Sequence, residues 1–124
     1  MLKVLLNHDL YNRWCWLENI KAVSYYCADS RLEENQFLDA QVRRSARQAV
    51  DALSKVDHFI AEHFHIHTIN DKEMMQLHPY LRDSEDEERR TRYEQYAGEL
   101  DALAAGAWTA YRLYRATVRD RLKV

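Results

Sequence analysis

The stretch from Ser84 to Val124 constrains this chain most, because it contains no proline and its apolar residues follow one repeating spacing. The steps between them alternate between four and three residues, which places them along one side of a single long helix. The residues of this seam are Tyr93, Ala97, Leu100, Ala104, Ala107, Tyr111, Tyr114 and Val118. Because a long helix gains most of its stability from packing, we expect other long elements to cover the seam.

Two further long helices are predicted upstream of this stretch. Asn7 or Asp9 caps a first helix that ends near Ala28. A second helix begins at Ser30, the first residue of a capping box, and ends near Phe64. Its predicted core stripe consists of Val42, Ala46, Ala49, Leu53, Val56 and Ile60.

A short helix is predicted over Asp71–His78, because Asn70 and Glu73 match a capping box and Pro79 would end the helix. The chain contains only 2 Gly and 1 Pro, too few for the closely spaced turns of an all-β fold. Long helices joined by short loops pack antiparallel. The sequence therefore predicts an all-α fold, an antiparallel helical bundle of three long helices plus one short helix, as a single domain over residues 1–124.

Three aromatic residues of the first predicted helix lie away from its core stripe. They are Tyr11, Trp14 and Tyr25. Large apolar side chains left in water usually mark an interaction surface. We therefore expect another protein, or a second copy of this chain, to cover this aromatic face.

The last helix contains a second candidate surface, formed by Trp108, Arg112, Arg115 and Arg119 at helical spacing. Tryptophan and arginine are enriched at the centres of protein interfaces. The same residues fit a nucleic acid, with arginines on phosphates and the indole on a base. The net charge of −2 gives no overall attraction to nucleic acid. A protein partner is favoured because the stripe is short and Asp101 and Asp120 lie on the same helix.

Five of the six histidines lie between His58 and His78, and the candidate metal ligands among them are His63, His65 and His67. Zinc needs three or four ligands in fixed geometry, and the chain has no His-Glu-x-x-His and no Cys-x-x-Cys motif. Histidines near a helix C-terminus also interact favourably with the helix dipole. We therefore predict no metal and no cofactor.

The sequence also lacks a Gly-rich phosphate loop and a serine nucleophile elbow, so an enzyme is not predicted. Cys15 and Cys27 fall in one predicted helix about 18 Å apart, too far to form a disulfide. Cys15 lies farther from the core stripe and should react first with thiol reagents. Unpaired cysteines, no visible signal peptide and no membrane-length apolar run predict a cytoplasmic protein without a membrane partner.

Three functions follow from these features. The favoured one is a non-enzymatic interaction or assembly module that forms an oligomer through the aromatic face and the Trp/Arg stripe. The alternative is a small nucleic-acid-binding subunit of a larger complex, with the arginine stripe on the phosphate backbone. The third is a helical bundle that binds a metal through the cluster between His58 and His78.

Overall fold

The computed structural model describes residues 1–33 and 39–122, which form helices and one small sheet. In chain order the elements are α1 (Leu2–Val4), a π-helix (Leu5–Asp9), β1 (Trp14–Trp16), α2 (Leu17–Glu33), α3 (Ala40–His63), β2 (Phe64–Ile69), β3 (Lys72–Leu77), α4 (Pro79–Arg82) and α5 (Glu87–Leu122). The three strands form an antiparallel sheet in the order β1-β3-β2. The predicted all-α bundle is therefore wrong, since the fold is helix-rich but mixed.

The β2–β3 hairpin replaces the short helix predicted over Asp71–His78. Asn70 and Asp71 have φ angles of 51° and 63°, in the left-handed region that two-residue hairpin turns require. Asparagine and aspartate tolerate this region better than most residues. The Asn70–Glu73 pattern that suggests a helix cap therefore marks a tight turn instead.

The first predicted helix is also wrong in its N-terminal half. Arg13 has a φ of 69°, which ends the helical path after the π-helix and redirects the chain into β1. Trp14 and Trp16 then pair with Gln76 and Met74 of β3. A distant strand therefore decides the structure of a segment whose local spacing also suits a helix.

The boundary between the first two long helices differs from the prediction at Ser30. Helix α2 continues through this position to Glu33, and α3 begins later, after Asp39. The Asp39 carboxylate accepts hydrogen bonds from the backbone N–H groups of Gln41 and Val42, which is N-cap geometry. Residues 34–38, part of the predicted second helix, lie outside the described residues.

The main core lies between α3 and α5. The predicted seam is confirmed over its full length on α3 and in its middle on α5. All six apolar residues of the α3 stripe are buried. On α5 the buried part of the seam is its middle, at Ala97, Leu100, Ala104 and Ala107. The small residues of α5 allow close approach to the larger side chains of α3, such as Leu53 and Ile60.

The inner face of the sheet joins this core through Cys15, Phe64, Met75 and Leu77. Both cysteines are free and buried, but Cys15 lies in a strand and Cys27 in a helix. Cys15 has no exposed surface, and burial, followed by the nearby charge of Asp9, raises the pKa of its thiol to about 12. The expectation that Cys15 reacts first is therefore wrong, because the strand turns it into the core.

Among the described helices, none combines the length and hydropathy that crossing a bilayer requires.

Candidate functional site

The last three turns of α5 and the C-terminal part of α2 form an open groove of about 320 Å³. We call it the aromatic–arginine groove. Its lining residues are Tyr26, Tyr111, Tyr114, Arg115, Val118 and Arg119. Two of the predicted partner-binding residues, Arg115 and Arg119, therefore line one concave surface together with three tyrosines.

Contacts within α5 hold part of the groove in place. The Arg115 guanidinium lies 5.9 Å from the centre of the Tyr111 ring, and its Nη1 donates to the Tyr111 hydroxyl at 3.5 Å. Trp108 stacks on Tyr111, with the ring centres 6.0 Å apart, and is itself packed against the core. Trp108 therefore supports the groove from below, while the arginine head groups remain exposed.

The groove is positively charged as far as the structure describes it, because its described lining contains two arginines and no carboxylate. Among the described side chains, those of residues 1–29 and 39–121, neither Arg112 nor Arg119 forms an ion pair. Two carboxylates in long-range contacts of α5, one on α5 itself and one at the N-cap of α3, are already engaged. Asp101 accepts from Arg13, and Asp39 accepts from Nε of Arg121 at 2.9 Å. The groove is thus a cationic, aromatic surface suited to an acidic ligand.

The three residues of the predicted aromatic face do not lie on one helix. Tyr11 lies in the turn before β1, Trp14 lies in β1, and Tyr25 lies in α2. Tyr11 and Tyr25 are 66% and 69% exposed, whereas Trp14 packs edge-to-face on Trp16 with ring centres 5.2 Å apart. The chain reversal at Arg13 separates side chains that one helix would have aligned.

Three of the six histidines, His63, His65 and His78, form a cluster beside Tyr96 of α5. Nδ1 of His63 and Nε2 of His78 are 2.8 Å apart, so one imidazole donates a hydrogen bond and the other accepts it. The Tyr96 ring packs on both, with ring centres 4.5 Å from His63 and 4.9 Å from His78. His65 lies next to this pair, 5.6 Å from the His78 ring.

The backbone at His78 is strained, with a φ of 28°. Burial, followed by the charges of His63 and His65, lowers the pKa of His78. His67 lies outside the cluster, and its Nε2 is buried without a hydrogen-bond partner in the described structure. Across the described ranges, no three His, Cys, Asp or Glu side chains are arranged to hold a metal ion.

Sequence reasoning missed several residues of the aromatic–arginine groove and of the histidine cluster. Tyr111 and Tyr114 appear in the sequence as ordinary members of the core seam, yet the structure leaves them half-buried. Their residue type is the available signal, because a tyrosine on a seam keeps its hydroxyl in water. Tyr26 of α2 lines the groove beside residues of α5, and His78 contacts Tyr96 of α5. Both contacts join elements that are distant in the sequence, so the spacing of neighbouring residues does not predict them.

Comparison of the chain with protein-family models, with curated proteins and with solved structures finds no match.

Proposed function

We propose that this protein is a non-enzymatic interaction module that binds an acidic segment of a partner protein in the aromatic–arginine groove. The proposal rests on one observation: three tyrosines and two arginines from α2 and α5 line one groove, and none of its described lining residues is a carboxylate. Tyrosine and arginine are the residue types most enriched at binding hot spots. A cationic groove repels a second copy of itself, so its complement is an acidic surface on a different chain.

A protein partner is favoured over a nucleic acid by the shape and composition of the site. The groove is short, with its two arginines one helical turn apart, and the chain as a whole is slightly acidic. Nucleic-acid binding normally relies on several phosphate contacts spread along a basic surface. We also propose a reducing, cytoplasmic setting, because Cys15 and Cys27 are both free.

The test uses the double variant Arg115→Glu with Arg119→Glu, which reverses the charge of the groove. The matched control is Arg90→Glu with Arg92→Glu, which makes the same change in net charge at exposed positions at the other end of α5. We expect both variants to stay folded, with the free energy of unfolding changed by less than about 1 kcal/mol.

Binding is measured by fluorescence anisotropy with two probes, a labelled amphipathic peptide rich in glutamate and phenylalanine and a labelled oligo-deoxythymidine. We expect the wild type and the control to bind the peptide, and the groove variant to lose at least tenfold in affinity. Equal peptide binding by all three proteins, or by none, contradicts the proposal. Tighter binding of the oligonucleotide, with an affinity that falls steeply as salt rises, supports the nucleic-acid alternative instead.

A further inference from the structure

The long outer strand of the sheet, β2, has one edge without a neighbouring strand in the described structure. The sheet order β1-β3-β2 puts β3 on one side of β2 and leaves the other side open. At six residues, Phe64–Ile69 is twice as long as the other outer strand, Trp14–Trp16. Natural proteins usually protect such an edge with a charge, a proline or a bulge. β2 contains no proline and no Asp, Glu, Lys or Arg.

The hydrogen-bond pattern of the hairpin shows which backbone groups face the open edge. The N–H of His78 donates to the carbonyl oxygen of His63, and the register pairs His65 with Gln76 and His67 with Met74. In an antiparallel ladder, alternate residues direct their N–H and C=O groups to opposite sides. Since the odd-numbered residues bond to β3, the N–H and C=O groups of Ile66 and Thr68 point to the open edge.

Two large apolar side chains of β2 are exposed. Ile66 is 55% exposed and Ile69 is 43% exposed, although isoleucine is among the residues most often buried. Ile66 extends the inner face of the sheet, beyond its register partner Met75, which is buried in the core. The inner face therefore reaches past the core at the open edge.

We propose that β2 pairs antiparallel with β2 of a second copy of this chain, joining the two sheets into one of six strands. A second copy is the occupant because the outward N–H and C=O groups of an antiparallel edge are complementary to those of an identical strand. β2 also contains no Asp, Glu, Lys or Arg that would repel a second β2. The proposal concerns a different surface and is independent of the proposed function.

The backbone pattern also limits the register of this pairing. Only residues whose backbone groups point outward can exchange hydrogen bonds, so even-numbered residues must face even-numbered residues. The arrangement centred on Ile66 places Ile66 opposite Ile66 of the second copy and Phe64 opposite Thr68 of the second copy. The Phe64 N–H already donates to the carbonyl oxygen of Ile60, so Phe64 contributes only its carbonyl oxygen to this pairing. The two-fold axis is then perpendicular to the sheet, and both helical layers lie on the same side of it.

The register is tested by cross-linking. In a hydrogen-bonded antiparallel pair the Cα atoms are about 5.5 Å apart, a separation that a disulfide spans. We expect Ile66→Cys to form a disulfide-linked dimer under mild oxidation, as seen on a non-reducing gel. The matched control is Thr68→Cys, whose two copies would lie about 13 Å apart and should not cross-link. Cys15 and Cys27 are buried and do not interfere. Equal cross-linking of the two variants, or none in either, overturns the proposal.

The association is tested by light scattering over a wide range of protein concentration. We expect the wild-type mass to rise from 14.8 kDa toward twice that value as concentration increases. Ile66→Glu places like charges opposite each other and should remain monomeric. The control Ile69→Glu lies beyond the paired residues, opposite Lys72 of its own hairpin, and should still dimerise. A wild type that is monomeric throughout, or an Ile66→Glu variant that dimerises as well as wild type, overturns the proposal.

Discussion

At the scale of single residues, His78 is the position where local strain and electrostatics coincide. Its φ of 28° is a conformation that L-residues rarely adopt, and such strain persists only where surrounding contacts enforce it. Here those contacts are the hydrogen bond to His63 and the packing of the Tyr96 ring. When both imidazoles are protonated, neither can accept a hydrogen bond, so the contact is lost.

We therefore expect stability to depend on the protonation of His78. Its pKa is lowered in the folded protein by burial, and then by the charges of His63 and His65, so the unfolded chain binds this proton more readily. Neutral His78 makes its full contribution to the free energy of unfolding above about pH 6.5, the ordinary pKa of histidine. This contribution is lost as the pH falls through the pKa of His78 in the folded protein.

Urea unfolding of wild type, His78→Asn and His58→Asn at several pH values between 7.5 and 5 checks this expectation. Asparagine tolerates positive φ, so His78→Asn removes the titration without adding backbone strain. The stability of this variant should decrease less at low pH than that of wild type. The stability of the exposed control His58→Asn should decrease almost as much as that of wild type. Identical pH profiles for His78→Asn and wild type would show that His78 does not contribute.

At the scale of elements, the β2–β3 hairpin depends on its two-residue turn. Both turn residues have positive φ, which glycine adopts at no steric cost and β-branched residues adopt only with strain. Asn-Gly is the dipeptide most favoured in this type of turn. The turn residues therefore fix the hairpin register, which aligns Met75 and Leu77 with the core.

Substitutions at Asp71 test this dependence. Asp71→Gly should raise the free energy of unfolding by about 0.5 kcal/mol, because it relieves the left-handed conformation. Asp71→Val should lower it by about 1–2 kcal/mol, because a β-branched side chain is strained there. Thermal and urea unfolding of the two variants measure both effects. Equal stabilities of the two variants would contradict a turn of this geometry.

At the scale of the whole molecule, two ion pairs among the described residues join α5 to other elements. Near its middle, both terminal nitrogens of Arg13 donate to the carboxylate of Asp101, which attaches the start of β1 to α5. Near its end, Arg121 donates to Asp39, the N-cap of α3. The Arg13–Asp101 pair is bidentate and partly shielded from solvent, so it should contribute more than an ordinary surface pair.

We expect Asp101→Asn to lower the free energy of unfolding by about 1 kcal/mol, because it weakens a charge-assisted contact between two distant elements. The control is Asp83→Asn, which breaks the exposed pair between neighbouring residues Arg82 and Asp83 and should have a smaller effect. Chemical denaturation of both variants measures the difference. If Asp83→Asn lowered the free energy of unfolding as much as Asp101→Asn, the long-range pair would have no special role.

The sequence alone determined the parts of this protein whose pattern is long and periodic. The seams of α3 and α5 follow from residues spaced along one helix face, and most of them are buried as expected. The exposed arginines of the groove also follow from spacing, because positions on one helix keep their angular relation.

Only the tertiary structure decided the sheet, the position of Cys15, the aromatic–arginine groove and the histidine cluster. Residues 14–16 and 72–77 are short segments whose spacing suits either a helix or a strand, and their pairing with each other selects the strand. That pairing places Trp14 in a strand, whereas Tyr25 lies in a helix, and turns Cys15 inward. Long-range contacts likewise bring His78 to Tyr96. Where two local conformations have similar energy, the burial that each one achieves in the folded protein decides between them.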